Sequence, residues 1–145
     1  MMPESYADHV IDHFEDPYHA GACERPTHRL RRDNPMCGDW SQIELAVDCQ
    51  GTIREAWFDG HGCMVSQAAA SLLVERIEGM RLEEAKRFSA AAMLQLFGPG
   101  LAPARQKCCL LPWRALQGAI DCPLAYDDQD DLGSQFGGPS LDEES

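Results

Sequence analysis

The middle of the chain alternates between apolar and polar residues in a way that predicts two paired strands. Between residues 41 and 48, Ile43, Leu45 and Val47 occupy every second position, a period typical of a half-buried strand. Residues 53–58 carry a second apolar run after a Gln-Gly turn signal. Strands separated by so few residues pair as an antiparallel hairpin, which we expect here.

Apolar residues recur at helical spacing in four further segments. These are residues 5–14, 64–79, 82–97 and 104–120. Ser5 suits the start of the first helix and Gly79 the end of the second. Because proline costs about 3 kcal/mol in a helix interior, Pro112 predicts that the last helix begins near Leu111. Residues 16–36 are rich in Pro, Gly, His and Arg without a period, so we expect an ordered loop.

The negative charge of the chain is concentrated at its C-terminal end. The net charge is -12, and residues 127–145 contain seven acidic residues and no basic one. We therefore predict one domain over residues 1–126, followed by an acidic, disordered tail over residues 127–145. The domain is only mildly acidic and lacks the basic face that phosphate binding needs, so we expect no nucleic-acid partner.

Hydropathy and cysteine content indicate a cytoplasmic protein. No stretch approaches the roughly 20 apolar residues of a membrane span, and residues 1–14 contain no apolar run of signal-peptide length. We therefore expect a cytoplasmic location and no membrane partner. Thiols stay reduced in that compartment, so the seven cysteines indicate metal or thiol chemistry rather than disulfides.

Three cysteines stand in local contexts that favour a thiolate or a shaped loop. Cys37 lies in a Pro-Met-Cys-Gly-Asp turn that can bring Asp39 back beside it. Cys63 lies at a predicted strand-to-helix junction, where free N–H groups and the helix dipole lower the pKa of a thiol. Lys107 precedes Cys108, and an ammonium group also favours a thiolate. Three thiolates and one carboxylate can complete a tetrahedral metal shell.

The spacing of these cysteines is a weak signal by itself. They stand 26 and 45 positions apart, unlike the short Cys-x-x-Cys pairs of zinc ribbons and ferredoxins. On spacing alone, inert cysteines buried near the core are therefore an open alternative.

The sequence around these residues resembles the IscU/SufU/NifU N-terminal family. The similar motifs occur in order from about residue 5 to residue 120 and span the whole predicted domain. They are VIDHFEDP at residues 10–17, NPMCGD at 34–39, GHGCMVSQAAAS at 60–71 and RQKC at 105–108.

This resemblance implies an α+β fold, with a small antiparallel β-sheet, helices packed on one face and a metal site at one end. It implies a role in iron–sulfur cluster biogenesis, in which the protein accepts sulfane sulfur from a cysteine desulfurase and relays it or assembles a cluster. By motif match, the metal ligands are Cys37, Asp39, Cys63 and Cys108, holding zinc as isolated, or iron or a [2Fe-2S] cluster. The expected partners are the desulfurase and downstream iron–sulfur assembly or apo-acceptor proteins.

The chain combines features that resemble two branches of the family. Asn34-Pro35 before Met36-Cys37 and Lys107 before Cys108 are similar to SufU-like members, for which the sulfur acceptor would be Cys37. The 45-position spacing from Cys63 to Cys108 is similar to IscU-like members, for which Cys108 would accept sulfur first. We favour the SufU-like branch, with Lys107 as a site residue that tunes or contacts the thiolates.

Other functions compatible with these residues stay open. Three alternatives would use the same ligands: a zinc-bound partner that only activates the desulfurase, a structural zinc domain, and a regulatory paralogue of the scaffold. A thiol enzyme with Cys37 and Asp39 as its catalytic pair would need a base, and no histidine follows Cys37 closely. Whether the protein is itself an enzyme, with zinc-dependent sulfurtransferase activity, is likewise open.

Overall fold

The computed structural model describes residues 7–35 and 38–124 and has the expected α+β fold. Its elements are α1 (Asp8–Glu15), β1 (His28–Asn34), β2 (Asp39–Val47), β3 (Ile53–His61), α2 (Met64–Ile77), α3 (Leu82–Lys86), α4 (Ala90–Phe97) and α5 (Pro103–Ile120). The three strands form one antiparallel sheet in the order β1-β2-β3. Helices α2 and α5 pack against this sheet and against each other, which confirms the predicted architecture.

The expected hairpin is present as β2 and β3. Ile43 pairs with Phe58 and Leu45 pairs with Ala56, and all four side chains are buried in the core. The alternating residues of the sequence pattern therefore face the helices, as a period of two requires.

Strand β1 lies within residues 16–36, so the prediction of a loop without strands for that segment was wrong. β1 pairs with β2 along its whole length. The pattern concealed it because β1 is an edge strand with one apolar residue, Leu30, which packs against the core. Its remaining side chains are polar, which is typical of an edge that must not recruit another strand.

Helix α2 is buried along most of its length because it packs against α1, α5 and β3. Small residues fill its central turns and let these neighbours approach; they are Ala68, Ala69, Ala70 and Ser71. The helix ends at Ile77, and Gly79 follows with a φ of +90°. A glycine in this conformation just after the last turn is a common helix stop, so the predicted end is confirmed.

Residues 82–97 form two helices, α3 and α4, rather than the single helix that we expected. Ser89 starts α4 because its side chain accepts a hydrogen bond from the N–H of Ala92 at 3.0 Å. A serine in this role fixes a helix start, which the apolar period alone did not reveal.

Helix α5 begins at Pro103, so the predicted start near Leu111 was wrong. Pro103 occupies the first turn, where its missing N–H is not needed. Pro112 then lies inside the helix with its ring fully buried. It removes the hydrogen bond that the carbonyl of Cys108 would otherwise accept, and packing of the ring offsets this loss.

The two ends of the chain are only partly described. Helix α1 spans Asp8–Glu15, close to the predicted residues 5–14. Its N-cap is Ala7, so the predicted cap Ser5, which lies outside the described residues, was wrong. Residues 127–145 also lie outside them, so the domain boundary and the disordered tail stay predictions. Within the described part of the chain, no helix is both long and apolar enough to cross a membrane.

Candidate metal centre

Three of the four expected metal ligands meet at one end of the sheet. Asp39, Cys63 and Cys108 each offer one ligand atom, and these atoms lie within 4.8 Å of one another. All three residues are half-buried. No other group of this kind occurs within residues 7–35 and 38–124. The fourth expected ligand, Cys37, lies outside the described residues, so its place in the site stays a prediction.

The hairpin brings Asp39 and Cys63 to the same place. Asp39 opens β2, and the next residue, Trp40, pairs with His61 at the end of β3. The chain reaches Cys63 two residues after His61 and there begins helix α2. The start of one strand and the end of its neighbour therefore deliver one ligand each, as antiparallel pairing dictates.

Gly62 provides the room that the Asp39 carboxylate occupies. A Cβ atom on Gly62 would lie 3.0 Å from Cγ of Asp39 and 2.6 Å from Oγ of Ser66. Ser66 is buried and its hydroxyl donates to the carbonyl of Cys63 at 3.0 Å, so it has little freedom to move. A glycine is needed at this position because of close approach, a role that sequence reasoning missed.

Cys63 is the residue at the N-cap of α2, where its thiol is poised for ionisation. Burial on its own raises the pKa of this thiol, and hydrogen bonds from the backbone N–H groups of Ser66 and Val65 lower it. The Cys108 side chain and the charge of Arg105 lower it further, so the pKa of Cys63 falls below its ordinary value. The expectation of an acidic thiol at the helix start is confirmed.

Cys108 lies in the second turn of α5 and shows the opposite shift. Burial first, then the hydrogen bond with Cys63, raises the pKa of the Cys108 thiol to about 11. The negative charges of Cys63 and Asp39 act in the same direction. The expectation that Lys107 makes Cys108 a thiolate was therefore wrong for the metal-free protein, because burial and neighbouring anions dominate.

This donor set fits a divalent cation. In a tetrahedral zinc site with Zn–S bonds of about 2.3 Å, two sulfurs lie about 3.8 Å apart. The ligand atoms here are at most 4.8 Å apart, so a small contraction suffices. A dication would also release the proton from Cys108 and turn repulsion among the acidic groups into attraction.

Lys107 does not join the ligand group but lines a cavity next to it. This cavity has a volume of about 460 Å³ and lies between the end of β1 and helix α5. Arg32, Lys107 and Arg114 supply three exposed cations, and Cys108 forms part of its wall. We call it the basic cavity. Sequence reasoning missed it because Arg32 lies on the unrecognised strand β1.

The other described cysteines stand apart from the ligand group. Cys109 is fully buried, and burial raises its pKa to about 12, as expected for a packing residue. Cys23 is also buried, while Cys49 and Cys122 are exposed.

Comparisons with known proteins agree with this geometry. Residues 5–128 match the family model of the NifU-like N terminal domain. The "Iron-sulfur cluster assembly scaffold protein IscU" of Haemophilus influenzae is 33% identical over 122 residues, which cover 80% of this chain and 93% of the relative. The "Zinc-dependent sulfurtransferase SufU" of Bacillus subtilis is 32% identical over 133 residues, covering 79% of this chain and 88% of the relative.

A solved structure supports the same fold. The putative iron–sulfur cluster assembly scaffold protein for the SUF system from Fervidobacterium islandicum superposes with a TM-score of 0.66 at 26% identity. The match covers 79% of this chain and 96% of that structure. Relatives with IscU and SufU names are thus about equally similar to the chain, so the preference for the SufU-like branch stays a prediction.

Proposed function

The chain belongs to the family of NifU-like N-terminal domains, and we propose that it is an iron–sulfur cluster biogenesis protein that accepts sulfane sulfur from a cysteine desulfurase. The observation that carries this proposal is the meeting of Asp39, Cys63 and Cys108 within 4.8 Å. These residues lie in three separate motifs of the sequence, so their convergence is a property of the fold.

We propose Cys37 as the fourth ligand. It stands two positions before Asp39, and consecutive Cα atoms are about 3.8 Å apart, so the covalent chain keeps it within about 8 Å of that residue. The four ligands would hold zinc as a resident ion, which keeps thiolates ionised and fixed in position. Iron, or a [2Fe-2S] cluster, would be cargo assembled at the same residues.

The partial exposure of the site favours a transfer site over a closed structural zinc site. Structural zinc sites are enclosed, with four ligands from the protein. Here Asp39, Cys63 and Cys108 are all half-buried, and the basic cavity opens beside Cys108. A carboxylate among thiolates is the harder ligand of the set, so Asp39 is the ligand that a soft metal releases most easily.

Sulfur transfer requires a thiolate that can reach the persulfide of the desulfurase. The thiolate attacks the outer sulfur, a new S–S bond forms on the acceptor, and the desulfurase cysteine leaves as a thiolate. We propose Cys37 as the acceptor, in line with the SufU-like features of the chain. Cys63 is less suited to this step, because its position at the start of α2 fixes it as an anchoring ligand.

Cys108 is the alternative acceptor, which the IscU-like spacing favours. Its place in the wall of the basic cavity gives it an approach from outside. Its thiol is protonated near neutral pH in the metal-free protein, since its pKa is about 11. Transfer to Cys108 would therefore depend on a bound cation that releases its proton. Transfer to Cys37 does not require Cys108 to lose its proton.

Persulfide mapping tests the proposal. The full chain is incubated with a cysteine desulfurase and cysteine, and each thiol is then identified by alkylation and mass spectrometry. We expect a persulfide on Cys37, its loss in Cys37→Ser, and its retention in the control Cys49→Ser, which changes an exposed cysteine away from the site. Persulfide on Cys108 alone would establish the alternative order. Stimulated desulfurase with no persulfide on this chain would contradict sulfur acceptance and leave a pure activator.

A further inference from the structure

The cations of the basic cavity have no acidic partner in the described structure. Within residues 7–35 and 38–124, no ion pair joins Arg32, Lys107 or Arg114 to a carboxylate. All three side chains belong to exposed residues and line one cavity of about 460 Å³. Three like charges around one cavity repel each other, so an anionic occupant would stabilise them.

On the other face of strand β1, by contrast, the arginines form ion pairs with carboxylates. Arg29 donates to Glu44 at 2.7 Å and Arg31 donates to Asp33 at 2.9 Å. Asp33 also lines the basic cavity, but its carboxylate is already held by Arg31. The side chains on the two faces of β1 thus differ: those facing away from α5 are paired, and Arg32 is left for another partner.

We propose that the acidic segment of the same chain, residues 127–145, folds back and occupies the basic cavity. This segment contains seven acidic residues and no basic one. Its acidic residues form two clusters, 127–131 and 142–144, separated by a stretch with three glycines and a proline. A connection of this composition would let the second cluster reach the cations independently of the first.

The point where the described chain ends makes this contact geometrically easy. The N–H of Leu124 donates to the carbonyl of Thr27 at 2.8 Å, and Pro123 forms a bridge with His28 at the start of β1. Arg32 lies four residues further along β1, which is about 13 Å. The 21 residues that follow Leu124 would have a root-mean-square length of about 25 Å as a flexible chain.

These lengths favour an intramolecular contact over one between molecules. When the mean length of a connecting segment is comparable with the distance to its site, the effective concentration reaches the millimolar range. At micromolar protein concentrations, the segment of the same chain therefore outcompetes that of a second copy. The bound acidic segment would cover the wall of the cavity that contains Cys108. Salt would weaken this contact, because the attraction between the acidic segment and the cations is electrostatic. This inference is independent of sulfur transfer.

Carbodiimide cross-linking of the 145-residue chain tests it directly. The sequence contains only two lysines, Lys86 and Lys107, so carboxylate-to-amine cross-links have few possible sites. Lys86 forms an ion pair with Asp121 at 2.5 Å and serves as the internal control. We expect a Lys107 cross-link to an acidic residue within 127–145, with its yield falling at least about threefold between 0.02 M and 0.5 M salt.

Two matched pairs of variants distinguish the effect of charge in the cavity from the effect of the total charge of the protein on the cross-link yield. Arg32→Gln with Arg114→Gln should lower the yield of the Lys107 cross-link several-fold, because it removes two of the three cations. Arg76→Gln with Arg87→Gln removes two exposed arginines elsewhere and should leave the yield unchanged. Equal effects of the two pairs would overturn the cavity as the docking site.

The occupant is identified by mixing chains with natural nitrogen and with ¹⁵N before cross-linking. Linked peptides from one chain carry a single label and support the proposal, whereas mixed labels would show that a second copy supplies the acidic segment. A Lys86–Asp121 cross-link without any Lys107 cross-link to residues 127–145 would overturn the proposal outright. Cross-linking identifies the occupant of the cavity, whereas persulfide mapping identifies the thiol that accepts sulfur, so each proposal can fail while the other stands.

Discussion

The metal end of the molecule and the apolar core behind it share helix α2 but are held in different ways. At the start of α2, Cys63 meets Asp39 and Cys108 through a few half-buried polar atoms. Ten positions later, Leu73 is fully buried among apolar side chains. The core depends on the area removed from water, while the site depends on the placement of single atoms. Stability and metal affinity should therefore respond to different substitutions.

The largest effect on stability is expected from Leu73→Ala. Removing a fully buried leucine side chain leaves a cavity, so the free energy of unfolding of the metal-free protein should fall by about 2–5 kcal/mol. Urea denaturation followed by circular dichroism measures it. The zinc affinity of the folded variant, measured by chelator competition, should stay within about twofold of that of the parent chain. A parallel loss of affinity would show that core and site are not separable.

A smaller effect, on zinc affinity rather than on stability, is expected from Gly62→Ala. The added Cβ meets Ser66 and the Asp39 carboxylate at 2.6 Å and 3.0 Å, so the ligand must move. Zinc affinity should fall by about 10–100-fold, the range found when groups that orient metal ligands are changed. Chelator competition on the purified variants gives this value.

Gly79→Ala is the matched control for Gly62→Ala. Gly79 lies beyond the other end of α2, and its added Cβ meets nothing within 4 Å, but its φ of +90° strains any other residue. This variant should lower the free energy of unfolding by about 1–2 kcal/mol and leave zinc affinity unchanged. If both variants weakened zinc binding equally, close packing at Gly62 would not be the cause.

The smallest effect concerns the two thiols of the metal-free site. The pKa of Cys63 is lowered and that of Cys108 is raised to about 11, so Cys63 has the larger thiolate fraction between about pH 7 and pH 9. Its lower basicity partly reduces its nucleophilicity, and we expect alkylation of Cys63 to be about tenfold faster. Peptide mapping after brief iodoacetamide treatment measures both rates. Faster alkylation of Cys108 would contradict the assignment of the thiolate to Cys63 in the metal-free protein.

The sequence predicted the hairpin and α2 because their apolar residues face one continuous core. Edge strand β1 escaped notice because a single residue, Leu30, carries its contact with that core. The boundaries of α4 and α5 depended on Ser89 and Pro103, whose local roles override apolar periodicity. Local patterns predict an element well where burial is periodic. They predict it poorly where one polar residue or one proline determines where the element begins.

The ligands were predicted from motifs that resemble a family, not from their spacing. What the motifs could not reveal depends on distances between residues far apart in the sequence. The approach of Asp39 to Gly62 is one such distance. The raised pKa of Cys108 is another such property, because it follows from burial of the thiol and from its closeness to Cys63. The basic cavity likewise exists only because Arg32 and α5 meet in the fold.

X-ray absorption at the zinc edge tests most directly whether Cys37, Asp39, Cys63 and Cys108 bind one ion. For the zinc-loaded full chain we predict three sulfur neighbours at about 2.3 Å and one oxygen at about 2.0 Å. Cys37→Ser and Cys63→Ser should each reduce the sulfur count to two, while Cys49→Ser leaves it at three. Four sulfur neighbours, or a count that does not change in Cys63→Ser, would contradict the proposed ligand set.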